Sequence, residues 1–176
     1  MQCLGYLDKA RINIQVDLGF GDVVFPEPEI SLLPTLLDYP APKLLCYSQE
    51  SAIAEKFEAM LKLGILNSRM KDFYDIWLLS QQFNFDGAKL ARAIELTLKH
   101  RETFLSETIL PFTEGFAQAK QIQWIAFCKR LQQEQIPKDL VIVVAGIQTF
   151  LAPVVAALIN KRPPPIIWTA GDDWKS

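Results

Sequence analysis

Between Ala10 and Leu18 apolar and polar residues alternate, with Ile12, Ile14, Val16 and Leu18 interleaved by Arg11, Asn13, Gln15 and Asp17. A period of two is the pattern of a strand with one buried face, and the Gly19-Phe20-Gly21-Asp22 run that follows reads as its turn. One such strand makes no stable sheet alone, since even an isolated hairpin is marginal in water. Val23 to Pro42 then carries five of the eleven prolines (Pro26, Pro28, Pro34, Pro40, Pro42). Proline removes the backbone donors that a central strand needs, so this stretch is expected to be an edge strand or an extended connector.

From Ser48 onward the period lengthens to that of a helix. Ser48 is a candidate N-cap and Glu50 places a carboxylate in the first turn; Ile53, Phe57, Met60 and Leu61 form an apolar stripe up to Gly64. A second helix is expected from Arg69 to about Gln82, with Met70, Phe73, Trp77 and Leu78 on its inner face. A third runs from Gly87 to Arg101 on Leu90, Ile94 and Leu98, and a fourth from Thr113 to Gln135 on Phe116, Ile122, Ile125 and Leu131. Leu140 to Ile159 holds no charge over a length close to that of a bilayer core. Gln148, Thr149 and Pro153 interrupt it and no basic cluster precedes it, so a buried C-terminal helix is preferred to a membrane span. The tail from Arg162, with Trp168 and Trp174, is expected to be extended and to pack its rings on the body.

Charge narrows the function classes. Eighteen Lys and Arg against twenty Asp and Glu give a net charge of −2, so no global basic field drives nucleic-acid or membrane binding and any such contact is local. The imbalance sits at one end: residues 1–40 hold two basic side chains (Lys9, Arg11) against six acidic ones (Asp8, Asp17, Asp22, Glu27, Glu29, Asp38). Three widely spaced cysteines and a single histidine, His100, make neither a disulfide framework nor a zinc site, and a reducing cytoplasm fits them best. No glycine-rich phosphate loop and no nucleophile elbow occurs.

What remains are charges in apolar surroundings. Asp17 ends the strand and Asp22 lies at the mouth of the turn. A carboxylate held there can ligate a hard cation, or simply stabilise the turn. On the second helix, Asp72 and Asp75 are three apart, Lys71 and Asp75 four, and Arg69 and Asp72 three, so these pairs can meet on one face, flanked by Phe73, Tyr74, Ile76 and Trp77. They form either an inter-helix salt-bridge network or a site facing Lys56 of the first helix.

Three motifs together carry a resemblance to a family. Lys9 to Asp22 (KARINIQVDLGFGD), Tyr47 to Glu50 leading to Ala54-Glu55-Lys56, and Asn67 to Asp75 (NSRMKDFYD), in this order, resemble the AbiEii/AbiGii toxin family of nucleotidyltransferases, with Arg101 and Gln123-Trp124 continuing the likeness. The resemblance implies an α+β fold: a remnant of a polymerase-β-type nucleotidyltransferase sheet over residues 1–46 (strand 10–18 and a proline-rich connector), then a mainly α-helical domain over 47–176. It implies a toxin of an abortive-infection or toxin–antitoxin system that transfers a nucleotide from an NTP to an acceptor with Mg²⁺. In that scheme Lys56, Asp72 and Asp75 are catalytic, Lys56 reaching a nucleotide phosphate. Arg69, Lys71 and Asp22 bind nucleotide or acceptor, and Asp17 is a metal ligand. RNA is the implied acceptor, and the implied partner is a cognate antitoxin without stable direct contact.

One departure stands out. The family's glycine-serine turn with its carboxylate-x-carboxylate pair should precede the strand of Asp17, and Met1 to Asp8 holds neither. The chain is therefore expected to be truncated and inactive alone, lacking two of three metal carboxylates. The alternative is a non-catalytic helical module that binds nucleic acid or a partner chain.

Overall fold

A computed structural model describes the chain except Asp17, Phe20, Leu36, Glu107, Gln133, Glu134 and Ser176, and for Leu7 the backbone alone. Two hairpins come first. Strands β1 (Gln2–Leu7) and β2 (Ala10–Gln15) pair antiparallel with Cys3 opposite Ile14 and Gly5 opposite Ile12, which places these four residues on one face. The predicted alternation is present, but its burial is not: all six residues of β2 are exposed, Ile12 by 45% and Ile14 by 48%. The reason is that none of the described helices covers this face. The strand also ends at Gln15 rather than Leu18, and the strand-end carboxylate Asp17 lies outside the described residues.

Within the proline-rich stretch, β3 (Glu29–Leu32) and β4 (Lys43–Cys46) form a second antiparallel hairpin. Its Ile30, Leu32 and Leu45 are 72%, 62% and 70% exposed. The connection to the body passes through Phe25: its N–H donates to Ser51 Oγ (2.8 Å), and the Ser48 and Ser51 hydroxyls donate back to its carbonyl. The same Ser48 Oγ caps the following helix by accepting from Ser51 N (3.1 Å).

That helix, α1 (Gln49–Leu63), stops at Gly64, whose φ of 48° lies where a side chain is rarely tolerated. Then come α2 (Met70–Gln82), α3 (Gly87–His100), α4 (Glu114–Leu131) and α5 (Leu140–Asn160), close to the predicted bounds, although α4 ends four residues before Gln135. Asp86, Thr113 and Asp139 cap α3, α4 and α5 with their side chains. By length and composition α5 could cross a membrane. One face of it lies in the core: Leu140, Val143, Ile147, Phe150, Leu151 and Val154 are fully buried, against α2 and α4.

The C-terminal tail closes the core. Short strands β5 (Phe85–Asp86), β6 (Ile167–Trp168) and β7 (Trp174–Lys175) form a three-stranded sheet. Trp168 Nε1 donates to the carbonyl of Ser80 in α2 (2.7 Å), and Trp174 Nε1 to that of Phe150 in α5 (2.8 Å). Both rings also pack on Phe150, with centroids 4.9 Å and 5.8 Å away. The tail can approach this closely because residue 87 is glycine; a Cβ there would collide with the carbonyl of Pro165.

Gly87→Ala should therefore destabilise the protein by about 1–3 kcal/mol, the usual range for overpacking, and Trp168→Ala by about 3–5 kcal/mol. Urea unfolding checks both. A Gly87→Ala midpoint equal to wild type would show that the tail is not seated against α3.

Candidate functional site

One helix carries the charges around which the site is built. Along α1, Glu55, Lys56 and Glu58 lie within one turn, Lys56 toward α2 and Glu58 toward the end of α3. Lys56 Nζ is 2.7 Å from Asp75 Oδ2 and 3.6 Å from Asp72 Oδ1. Lys71 reaches the same Asp75 oxygen at 2.6 Å. Arg69, at the N-cap position of α2, sets Nε 2.7 Å and Nη2 3.4 Å from the two oxygens of Asp72. The Nε contact is one of charge, because Asp72 Oδ2 has no hydrogen bond of acceptable angle among the described residues. Asn67, fully buried, accepts from the Arg69 backbone N–H and fixes the start of the helix.

Burial gives these contacts weight. The Asp72 side chain is 4% exposed and that of Lys56 23%, so the pair is shielded in a way that surface pairs worth under about 1 kcal/mol are not. Three cations (Lys56, Arg69, Lys71) face two carboxylates (Asp72, Asp75), and the Glu55 carboxyl, which feels the Lys56 charge, balances the third once ionised. Arg69 and Lys71 are more than half exposed and can meet an anion such as phosphate, and the Lys56 ammonium is already oriented.

The five residues expected to act together, Lys56, Arg69, Lys71, Asp72 and Asp75, do converge. Asp22 does not join them. It binds Arg101 Nη2 at 3.1 Å, while Arg101 Nη1 binds Glu58 Oε2 at 3.0 Å. Thr103 Oγ1 donates to the other Glu58 oxygen at 2.6 Å. Burial works against the Arg101 charge, but the hydrogen bonds to Glu58 and Asp22 outweigh it and its affinity for the proton rises.

Glu55 stands between the two clusters. Burial first, and then the Asp22 carboxylate, push its carboxyl above the ordinary range, with Arg101 and Lys56 opposing; its Oε1 is covered and has no hydrogen-bond partner among the described residues. Sequence reasoning assigned no role to Glu55, Glu58 or Thr103. Glu58 had a signal, a carboxylate set between Phe57 and Met60 on the apolar stripe. Thr103 had none, because only the fold brings it to α1.

The fit to a divalent cation is poor. Among the described residues no three His, Cys, Asp or Glu side chains lie close enough to hold a metal. Asp72 and Asp75 are already committed to Lys56, Lys71 and Arg69, which would compete with a cation for the same oxygens.

A family model described as "Nucleotidyl transferase AbiEii toxin, Type IV TA system" matches residues 2–152. No curated protein and no solved structure matches the chain.

Two outcomes follow from the geometry. Glu58→Ala should cost about 3 kcal/mol in denaturant unfolding, the low end for breaking a buried pair because Arg101 is partly solvated. Glu55 is destabilising once charged: its folded-state proton affinity is raised, so stability should increase as pH falls from neutral toward the ordinary value of 4.5. Glu55→Gln should remove that slope and raise the unfolding midpoint at neutral pH; a slope identical to wild type would show that Glu55 is not its source.

Proposed function

The chain belongs to the AbiEii family, the nucleotidyl transferase toxins of type IV toxin–antitoxin systems, and on that premise we propose that its α1–α2 cluster binds the phosphates of an NTP whose nucleotide passes to an acceptor. The supporting observation is Lys56 held between Asp72 and Asp75, with the exposed Arg69 and Lys71 beside it. In this reading Asp72 and Asp75 orient the ammonium, Lys56 takes a phosphate oxygen, and Arg69 and Lys71 bind the nucleotide or the acceptor at the rim. Phosphoryl-type transfer asks mainly for positioning and charge stabilisation, which a set of Lys, Arg and Asp supplies without histidine.

Enzymes of this kind use a divalent metal, which would neutralise charge on the phosphates when bound. The described carboxylates do not supply its ligands, and the sequence has no glycine-serine turn followed by a carboxylate pair. We therefore also propose that this chain alone binds nucleotide without transferring it. Residues 1–46 and 47–176 would act as separate units, the first part of a polymerase-β-type sheet and the second the helical body. A type IV system implies an antitoxin, which we take to act without stable contact with this chain. Free Cys3, Cys46 and Cys128 support a cytoplasmic location.

A second reading, a non-catalytic module for nucleic acid or a partner chain, draws on the bare apolar faces of the two hairpins. One titration separates them. The wild-type chain should bind an NTP, and Lys56→Ala should weaken it roughly tenfold or more, the loss of one charge-assisted contact, with an unchanged circular-dichroism spectrum. Equal NTP affinity in both proteins would favour the module. Incorporation of labelled NTP by this chain would refute its inactivity.

A further inference from the structure

Of the charged residues in the two clusters and between them, Glu55 alone enters no ion pair among the described residues. It is half-buried, and its Oε1 is covered without a hydrogen-bond partner. A carboxylate placed there depends on the fields around it. On one side stand Asp22, from the turn after β2, and Arg101, at the end of α3. The Arg101 guanidinium is already held by both Asp22 and Glu58, so that group carries two negative charges against one positive. On the other side is Lys56, whose group of three cations and two carboxylates has the opposite balance. The short turns Gly64–Leu66 and Leu110–Phe112, which also pack on α1, bring no charge, and the remaining charged side chains of α3 are exposed. An ionised Glu55 is therefore repelled from one side and supported from the other.

That support comes from Lys56, the same charge that the phosphate contact draws on. We propose that Glu55 regulates the anion site: ionised, it cancels the third cation and holds phosphate affinity down, and protonated, it releases the field of Lys56 to the ligand. Linkage makes the effect reciprocal, so an arriving phosphate drives a proton from the buffer onto the Glu55 carboxyl. Burial and the Asp22 carboxylate push that carboxyl above its ordinary 4.5, which moves the proton exchange toward neutral pH. The inference rests on the reading of Lys56 as the phosphate contact. It adds a residue that touches no ligand and sets the affinity through its charge.

The test is calorimetric titration of the whole chain with inorganic tripolyphosphate, which carries the phosphates of an NTP without its base. It is run from neutral pH down to the ordinary carboxylate value of 4.5, in buffers of different ionisation enthalpy. Wild type should gain affinity as pH falls and should take up protons on binding. Glu55→Gln should bind roughly five- to tenfold tighter than wild type at neutral pH, the relief of one partly screened like charge. That advantage should vanish at the acid end, where wild type is protonated as well. Phosphates gain protons of their own near pH about 6, so proton uptake is read as the difference between the two proteins. Glu55→Asp, which restores the charge, should return the neutral-pH affinity to near the wild-type value. Equal affinity of wild type and Glu55→Gln at neutral pH, with Lys56→Ala weaker than both, would overturn the regulation and leave the phosphate contact standing. A gain in Glu55→Gln that is the same at every pH would overturn it too, because packing rather than charge would then be its source. If Lys56→Ala leaves tripolyphosphate affinity unchanged, or if none of the proteins binds it, the phosphate reading falls and its regulation with it.

Discussion

The contact between Lys56 on α1 and the Asp72–Asp75 pair on α2 is the constraint around which the rest is arranged. Charges this far from water are tolerated only when matched, and removing one partner leaves the other stranded. α1 meets that condition twice, with Lys56 turned to α2 and Glu58 to Arg101 and Thr103. The helix is thereby clamped from both sides at positions whose neighbours Ile53, Phe57 and Met60 are fully buried. Ion pairs set its rotation, and apolar packing sets its depth.

Around that axis the remaining elements act as supports. The stacked rings of Phe73 and Phe116 join α2 to α4, and those of Phe57 join α1 to Phe112. α5 fills the centre, and the tail secures it to α2 through the two indole hydrogen bonds. The charged residues of α2 thus sit on a helix braced by α4, α5 and the tail. A rigid base of this kind holds a site more accurately than a loop does, because rotation of the helix would disturb the packed core.

Much of this was legible in the sequence, for identifiable reasons. The helices were readable from 3.6-residue stripes and caps such as Ser48, and the meeting of Lys56 with Asp75 from two motifs of one family. α4 was overextended because nothing between Leu131 and Gln135 announces a stop; the left-handed turn at Gln132 is made by a residue with no strong preference for it. The pairing of Asp22 with Arg101 was not legible, because turn residues carry no directional pattern. The Glu58–Thr103 contact spans 45 positions, and no local rule relates residues so far apart. The burial of β2 failed for another reason: alternation states which side is apolar, and never whether anything lies against it.

That bare side has a consequence for behaviour in solution. Among the described residues, each two-stranded ribbon presents an apolar face together with unpaired strand edges, a combination that soluble proteins usually blunt with charge, bulges or cover. Lys43, Lys9 and Arg11 are the basic residues available there, and Pro34, Pro40 and Pro42 limit pairing in the loop of the second ribbon. The state of the N-terminal region is then governed by mass action, with concentration and the supply of a complementary strand deciding whether the ribbons stand alone or in company.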